Sequence, residues 1–409
     1  MTANRLDPAG PRTLLGAPGL ALVLAALTVP GEYTRLVGGC VRDALLGHPS
    51  NDIDLATTLL PDAVVARAEA AGLRSIPTGI EHGTVTLMAG NAAFEVTTLR
   101  EDIETDGRHA VVRFGRDFDL DAQRRDFTIN ALSVDADGKL HDTTGGLADL
   151  EAGRVRFIGD AATRIREDAL RILRFFRFHA RYGAEAPDAD GLAASIRARA
   201  ALDGLSRERV RAELLKLLLA PGVVPAVTVL SETGLLGRLV GGIGDLRRFE
   251  RAARPHRDAA ERLAALAVFS VNDAERLAVR LRLSKVEQGG LVAYARALAA
   301  LKAVAGVDAM GMRRLAAEHG VDSLALARDA LEGGPPLIAA EAGDLLERMV
   351  RGEVPVPVFP LAGADLVLRG IPAGPEIGRR LARARALWLA AGCPDDAAAR
   401  ETLLERATA

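Results

Sequence analysis

LVGGCVRDALLGHPSNDIDLAT, at residues 36–57, begins with a glycine turn and ends with two closely spaced aspartates. Gly38 and Gly39 follow a short apolar run, and residues 41–46 have the apolar spacing of a short helix. The order strand, glycine turn, helix leaves free backbone N–H groups at the helix start, where they can bind a phosphate group. This segment therefore predicts a phosphate-binding turn.

The second half of the segment predicts a strand with a charged face. Successive strand residues point to opposite faces, so Asp52 and Asp54 lie together while Ile53 and Leu55 face a core. Two carboxylates this close repel each other unless a cation joins them, and their hard oxygen atoms suit Mg²⁺. A double glycine or an Asp-x-Asp pair alone is equally common in structural turns, so the hypothesis depends on their occurring together.

A third carboxylate follows on a predicted neighbouring strand. Residues 83–88 and 93–98 alternate in polarity on either side of a Gly90-Asn91 turn, which indicates a β-hairpin. Glu95 would then lie beside the two aspartates and complete a site that can hold two metal ions. An exposed strand residue would explain Glu95 equally well if it stood alone.

These motifs together resemble a known family. GGxVRDxLLG from Gly38, DIDLAT from Asp52 and RRDFTINAL from Arg124 are similar to motifs of the bacterial-type (class II) tRNA nucleotidyltransferase and poly(A) polymerase family, and most of all to its CCA-adding members. The resemblance is dense over residues 36–216. It implies an α+β fold, with a mixed-sheet nucleotidyltransferase head followed by an all-α neck, body and tail.

The resemblance also implies the chemistry. The CCA-adding members add C, C and A to the 3′ end of tRNA without a nucleic-acid template, from CTP and ATP, in a metal-dependent nucleotidyl transfer that releases pyrophosphate. The implied cofactor is Mg²⁺ in a two-metal site, and the implied partner is the tRNA 3′ end and acceptor arm. The family's catalytic and metal-binding carboxylates match Asp52, Asp54 and Glu95. Its nucleotide-binding residues match Gly38, Gly39, Arg42, Arg125, Asp126, Asn130, Asp168, Arg171, Arg174 and Arg177.

Base selection is predicted on a helix at residues 163–181, which carries EDALR. Asp168, Arg171, Arg174 and Arg177 follow at steps of three, which places them on one helix face. An ionised Asp only accepts hydrogen bonds and an Arg only donates them, so Asp168 paired with Arg171 would accept cytosine and adenine and reject uracil and guanine. Without the head motifs, a helix salt bridge worth about 0.3–0.5 kcal/mol would explain the pattern.

Composition limits the class of protein. The chain has 409 residues, a hydrophobic share of 49% and a mean hydropathy of +0.13, which predict a globular protein of two or more domains. Its two cysteines, Cys40 and Cys393, form no disulfide framework and indicate a reducing cytoplasm. The apolar run at residues 20–29 is too short for a membrane span, so it predicts a first helix packed on the head.

Charge is distributed unevenly along the chain. The formal net charge is −2, whereas residues 154–216 carry fourteen Lys and Arg against nine Asp and Glu. This basic segment can follow an RNA backbone, although many basic helices are only solvated. At residues 100–121, charge without periodicity predicts a mobile loop.

The predicted domains are a head at residues 1–150, a helical neck with base recognition at 151–220, and a helical body and tail at 221–409 that bind tRNA. Amphipathic segments separated by Gly-Pro clusters indicate the helices of the body, and residues 363–388 resemble the family's tail helix. His256 and His319 lack paired His-Asp partners, so we expect no C-terminal HD phosphohydrolase domain.

Three alternatives stay open. A poly(A) polymerase of the same family would use ATP alone, but EHGTV at residues 81–85 has the form of the CCA-adding members, and a strongly basic C-terminal tail is missing. Partial enzymes that add only CC or only A are a second alternative. A tRNA-binding protein with an inactive head is the third, and it leaves the three repelling carboxylates without a purpose.

Overall fold

The computed structural model describes residues 6–50, 52–79, 83–105 and 110–408. The chain divides into two units, which are Met1–Arg209 with Ala220–Ala226, and Val210–Leu219 with Val227–Ala409. The first unit contains the predicted head and most of the predicted neck. The second contains most of the predicted body and tail.

A mixed β-sheet organises the first unit. The described strands of this unit are β1 (Thr34–Val37), β2 (Ile53–Thr57), β3 (Arg74–Gly79), β4 (Thr84–Ala89), β5 (Ala92–Thr98), β6 (Arg100–Thr105), β7 (Ala110–Phe114), β8 (Ser133–Asp135) and β9 (Leu140–His141). Among the described residues, seven strands form one sheet in the order β3-β4-β5-β2-β1-β8-β9. The β2–β5 pair is parallel, and the other neighbours in this sheet are antiparallel.

Helices cover the sheet and continue into the neck. The described helices up to residue 218 are α1 (Gly10–Leu15), α2 (Leu20–Leu27), α3 (Gly39–Leu45), α4 (Pro61–Ala70), α5 (Phe118–Gln123), α6 (Gly146–Glu151), α7 (Ala161–Glu167), α8 (Arg171–Tyr182), α9 (Ala189–Arg197) and α10 (Arg207–Leu218). Helix α2 contacts α4 and β4, with Leu20 and Val23 fully buried. This confirms the helix predicted from the apolar run at residues 20–29.

The predicted alternation around the aspartate pair is confirmed. Ile53 and Leu55 are buried in β2, whereas Asp54 is exposed. Asp52 is also exposed and lies immediately before the strand. The predicted hairpin is present as β4 and β5, and its turn contains Gly90 at φ +63°.

Aromatic rings join the end of the head to the neck. The ring centroid of Phe127 lies 4.8 Å from that of Phe157 and 5.3 Å from that of Phe178 on α8. Phe157 in turn stacks on Phe175 of α8 at 5.5 Å. Burial of these large apolar surfaces fixes α8 against the segment that follows α5.

The loop predicted at residues 100–121 is wrong for residues 100–105 and 110–121, and residues 106–109 lie outside the described part of the chain. Strands β6 and β7 form an antiparallel pair there, and α5 follows, with Asp117 accepting hydrogen bonds from the N–H groups of Asp119 and Leu120. The pair forms a two-stranded sheet of its own, separate from the mixed sheet. A separate ribbon need not alternate apolar and polar residues, because it is held by its backbone hydrogen bonds.

The single helix predicted at residues 163–181 is also wrong, because residues 168–170 are not helical and separate α7 from α8. Asp168 has the extended angles φ −154° and ψ 107°, and its Oδ1 accepts a hydrogen bond from the Leu170 N–H at 3.0 Å. Such a local side-chain bond to the backbone competes with helical hydrogen bonding. Arg171, Arg174 and Arg177 lie on α8 at the predicted spacing, whereas Asp168 precedes the helix.

The second unit is helical. It contains most of α10, and its further described helices, with α11 shared between the units, are α11 (Val223–Glu232), α12 (Leu235–Val240), α13 (Leu246–Ala252), α14 (Ala259–Ala267), α15 (Val271–Leu281), α16 (Lys285–Lys302), α17 (Ala309–His319), α18 (Val321–Ala330), α19 (Ala340–Val350), α20 (Gly363–Leu368), α21 (Pro375–Ala390) and α22 (Ala397–Thr408). Two short strands, β10 (Gly306–Val307) and β11 (Leu337–Ile338), pair in parallel. The predicted tail helix is divided into α20 and α21. In the described part of the chain, every helix is too short or too polar to cross a membrane.

Candidate active site

A cavity of about 540 Å³ opens in the first unit between the glycine turn before α3 and the start of α8. Its described lining contains seven arginines and three aspartates, a formal excess of four positive charges. The lining residues are Gly38, Gly39, Arg42, Asp54, Arg124, Arg125, Asp126, Asn130, Asp168, Leu170, Arg171, Arg174, Arg177, Phe178 and Arg209. The volume and the charge suit a nucleotide polyanion.

Gly38 lets a guanidinium group approach the backbone more closely than a Cβ atom would allow, and a second guanidinium group lies beside Gly39. Gly38 has φ +74°, and a Cβ atom there would lie 2.9 Å from the Arg125 Nη1. A Cβ atom on Gly39 would lie 3.6 Å from the Arg42 Nη2. The turn therefore brings backbone N–H groups and two fixed cations to one place, which is a suitable arrangement for phosphate oxygens.

Hydrogen bonds connect the predicted nucleotide-binding residues to one another. Arg42 Nη1 donates to the Asn130 Oδ1, and the Asn130 Nδ2 donates to the Asp126 Oδ1 at 3.0 Å. Asp126 Oδ2 accepts from the Arg174 Nε at 2.6 Å. Arg42, Asp126 and Asn130 are each less than 10% exposed. The chain of contacts thus runs from α3 to α8 across one wall of the cavity.

Arg125 is held by a residue on α5. Its Nε and Nη2 donate to the Asp121 Oδ2 at 3.2 and 3.1 Å, and its Nη1 donates to the backbone oxygen of Asn130 at 3.4 Å. The same Asp121 carboxylate accepts from the Arg124 Nε at 2.9 Å. Since Asp121 is buried, it fixes both arginines of the RRDFTINAL motif.

The predicted carboxylates lie on two neighbouring strands. Asp54 pairs with Glu95 in the parallel β2–β5 register, and both side chains are exposed. Although Asp54 is partly solvated, desolvation by the surrounding protein raises the pKa of its carboxyl, the charges of Glu95 and Asp52 raise it further, and Arg125 opposes them. Converging negative charge of this kind is characteristic of a cation site.

The arrangement of the side chains and the type of their ligand atoms lead to different conclusions about a metal site. Among the described residues, no group of three or more His, Cys, Asp or Glu side chains is arranged so as to hold a metal ion. The donor set itself fits Mg²⁺, because it consists of carboxylate oxygens that repel one another, and one of them, Asp54, lines the nucleotide-sized cavity. The backbone register places Asp54 beside Glu95 on the neighbouring strand.

Asp168 and Arg171 line the same cavity but are bonded to other residues. Asp168 Oδ2 accepts from the Arg209 Nη2 at 2.6 Å, while Arg171 Nη1 donates to a carboxylate oxygen of Glu167 and, at 3.0 Å, to the backbone oxygen of Arg164. The side chains of Asp168 and Arg171 are 23% and 18% exposed, so both can still be reached from the cavity. The paired arrangement expected for base reading would require a change of partners.

Five residues that support the cavity were not among the predicted site residues. Asp121 and Arg209 hold the motif residues, Phe178 lies under the Arg177 guanidinium at 4.2 Å, and Asp43 and Tyr182 contact Arg42. The i,i+4 spacing of Asp121 and Arg125 was a usable signal. Asp43 and Phe178 are direct sequence neighbours of Arg42 and Arg177, whereas the contacts of Arg209 and Tyr182 join distant segments, which sequence spacing does not reveal.

Comparison with known proteins agrees with this geometry. The family described as the poly A polymerase head domain matches residues 34–156, and the one described as the probable RNA and SrmB-binding site of polymerase A matches residues 189–243. The Danio rerio mitochondrial CCA tRNA nucleotidyltransferase 1 is 36% identical over 365 residues, which cover 87% of this chain and 83% of that protein. The Limosilactobacillus fermentum CCA-adding enzyme is 32% identical, covering 88% of this chain and 89% of the relative.

A solved structure extends the likeness to the three-dimensional fold. The crystal structure of the Bacillus stearothermophilus CCA-adding enzyme in complex with CTP matches with a TM-score of 0.75 and 30% identity, over 98% of each chain. The predicted fold class, a mixed-sheet head followed by helices, is confirmed by this match and by the head-domain family. The chain therefore belongs to the family of CCA-adding enzymes, the CCA tRNA nucleotidyltransferases that carry a poly A polymerase head domain.

Proposed function

We propose that this chain adds C, C and A to the 3′ end of tRNA from CTP and ATP, without a nucleic-acid template and with release of pyrophosphate. The observation that carries the proposal is the arginine-lined cavity beside the Asp54–Glu95 strand pair, in a chain that matches CCA-adding enzymes over most of its length. A tetra-anionic nucleotide would neutralise the formal excess of four positive charges in the lining.

The proposed roles follow the chain of contacts around the cavity. Gly38, Gly39, Arg42 and Arg125 bind the triphosphate, because the glycine turn and the two guanidinium groups meet there. Asp126 and Asn130 bind the ribose, whose hydroxyl groups can donate to a carboxylate and accept from an amide. Arg174 and Arg177, which line the same wall, provide further contacts to the nucleotide. The residues thus orient the α-phosphate towards the RNA 3′-hydroxyl group.

Asp168 and Arg171 would select the base. Once Asp168 exchanges Arg209 for the exocyclic amine of cytosine or adenine, and Arg171 donates to the unprotonated ring nitrogen, both bases find complementary partners. Uracil and guanine present a carbonyl group to Asp168, so an acceptor meets an acceptor. Protein side chains would then replace a nucleic-acid template.

Asp52, Asp54 and Glu95 would hold Mg²⁺ in a two-metal site. When bound, Mg²⁺ activates the attacking hydroxyl group and stabilises charge on the leaving pyrophosphate. The support for this assignment is that desolvation and, after it, the charges of Glu95 and Asp52 raise the pKa of the Asp54 carboxyl. Without the cation, these carboxylates repel the phosphates that the arginines attract.

The deciding experiment measures incorporation of each labelled nucleotide into three tRNA transcripts, which end before CCA, after C and after CC. Addition of two C and one A, followed by arrest, is the expected result. Addition of A alone to the CC-ending transcript would indicate an A-adding partial enzyme, and arrest after two C a CC-adding one. Long A tails on any RNA would indicate a poly(A) polymerase. Tight tRNA binding without incorporation would overturn the enzymatic proposal.

Further parts of the proposal concern organisation and location. We propose a head at 1–150, a neck at 151–220 and a tRNA-binding body and tail at 221–409. Limited proteolysis tests the boundaries. We also keep a cytoplasmic location, supported by the two free, buried cysteines, although several curated relatives are mitochondrial. Imaging of a tagged chain in its native cell tests the location.

A further inference from the structure

We propose that Asp43 and Tyr182 are positioning residues that hold the Arg42 guanidinium in place for the nucleotide triphosphate. The inference rests on the proposed role of Arg42 at the triphosphate. It assigns a function to the aspartate of the GGxVRDxLLG motif and to the last residue of α8. The described lining of the cavity includes neither Asp43 nor Tyr182, so both act through Arg42.

Asp43 binds Arg42 through two parallel hydrogen bonds. Arg42 Nε donates to the Asp43 Oδ1 at 3.0 Å, and Arg42 Nη2 donates to the Asp43 Oδ2 at 3.1 Å. The two side chains are 7% and 16% exposed. A bidentate pair with this little solvent fixes both the position and the plane of the guanidinium group.

Tyr182 fixes Asp43 from the neck. Its hydroxyl group donates to the Asp43 Oδ1 at 2.9 Å, and its ring lies under the Arg42 guanidinium, 4.3 Å from the Arg42 Cζ. Desolvation by burial, as the largest cause, raises the pKa of the Tyr182 phenol, so the group stays protonated and remains a donor at neutral pH. Phe178 lies one helical turn earlier, with its ring centroid 5.3 Å from the Arg42 Cζ.

These contacts leave part of Arg42 for a ligand. Its Nη1 donates to the Asn130 Oδ1, and its Nη2, which donates to Asp43, lies 3.6 Å from where a Cβ atom on Gly39 would be. Each terminal nitrogen of a guanidinium group carries two N–H bonds, so Nη1 and Nη2 each have a second N–H bond beyond the partners named. The buried side chain already holds a fixed conformation, so little conformational entropy is lost when a phosphate binds.

A purely structural interpretation is that Arg42, Asp43 and Tyr182 only hold α3 against α8. That interpretation predicts loss of folding stability when a contact is removed, with no selective effect on nucleotide binding. The positioning role predicts a selective effect on the triphosphate. It also predicts the same effect for CTP and ATP, because Arg42 contacts the part that the two nucleotides share.

The test compares Asp43→Asn and Tyr182→Phe with the unchanged chain. Calorimetric titration with CTP and with ATP, without tRNA, gives the Kd, and steady-state incorporation gives KM and kcat. We expect Tyr182→Phe to raise the Kd and KM of both nucleotides roughly threefold, because it removes one hydrogen bond to the Asp43 carboxylate. Asp43→Asn should raise them roughly tenfold, because it removes the charge and one acceptor of the bidentate pair. The kcat and the KM for tRNA should change less than about twofold.

Tyr294→Phe is the matched control. Tyr294 is a buried tyrosine on α16, and its hydroxyl group contacts the Arg248 Nη1 at 3.4 Å, within the second unit. It should leave the Kd of both nucleotides unchanged. A lowered Tm with unchanged Kd values in Asp43→Asn would overturn the positioning role, as would a loss confined to kcat. Nucleotide binding is measured without tRNA, so the Kd values test the positioning role independently of tRNA extension. A chain that binds CTP but extends no tRNA would refute the proposed function only.

Discussion

Asp54→Asn should stabilise the unliganded protein while it abolishes catalysis. The substitution keeps the size of the side chain and removes one of the charges that converge at the strand pair. Desolvation, Glu95 and Asp52 raise the pKa of Asp54, which means that ionising this group costs more in the folded than in the unfolded chain. Removing the charge therefore removes a free-energy cost of folding, which a bound cation would offset in the wild-type chain.

The magnitude follows from the sheet geometry. Neighbouring strands lie about 4.8 Å apart, so the paired Asp54 and Glu95 carboxylates are on the order of 5 Å apart. Two unit charges at about 5 Å repel by roughly 1–2 kcal/mol at an effective dielectric constant of about 40–80, which suits exposed side chains. Arg125 offsets part of this repulsion. We expect a gain of about 1 kcal/mol, or about 2–4 °C in Tm for a unit of this size.

The assay is thermal unfolding in EDTA at low salt, from pH 3 to 8. Since the folded pKa is raised, the wild-type chain loses stability as pH rises through it, beginning above the ordinary value of 3.8. The difference in Tm between Asp54→Asn and the wild-type chain should grow over that pH range and reach its full size by pH 7. Added Mg²⁺ should raise the Tm of the wild-type chain more than that of the variant.

Asp62→Asn provides the control. Asp62 is exposed in the first turn of α4, where a negative charge interacts favourably with the helix dipole. Its replacement should lower the Tm slightly and leave the response to Mg²⁺ unchanged. An Asp54→Asn variant no more stable than the wild-type chain in EDTA at pH 7 would refute the repulsion argument. Equal Mg²⁺ responses would refute the metal assignment.

Three further predictions concern the cavity. Asp52→Ala should abolish incorporation and keep tRNA binding, and a filter-binding measurement that shows lost binding would make Asp52 structural. Asp168→Ala should increase UTP and GTP misincorporation more than it slows CTP incorporation, so unchanged selectivity in nucleotide competition would contradict the base-reading role. Gly38→Ala places a Cβ atom 2.9 Å from the Arg125 Nη1 at φ +74°. It should lower the Tm by a strain of about 1–3 kcal/mol and raise the CTP KM, and an unchanged KM would separate Arg125 from the triphosphate.

Local pattern was sufficient to predict the centre of the head. The strand, glycine turn and helix at residues 36–46, and the exposure of Asp52 and Asp54, follow from periods of two and 3.6 residues, which act over a few residues of chain. The sequence predicted that Glu95 lies on a strand beside the aspartate pair, and the structure adds that the two strands are parallel and that Glu95 pairs with Asp54. Local pattern did not predict the described structure within residues 100–121, where β6 and β7 pair without apolar alternation.

The sequence by itself determined which chemical groups the site contains, since carboxylates, guanidinium groups and glycines can be read from their types and spacing. Only the tertiary structure decided how those groups are held. Asp43 meets Tyr182 across 139 residues of sequence, and Asp168 meets Arg209 across 41. A side-chain hydrogen bond also ends α7 at Asp168, which moves this residue off the helix that its spacing predicted. The physical reason is that such contacts depend on the packing of separate elements, which no local periodicity encodes.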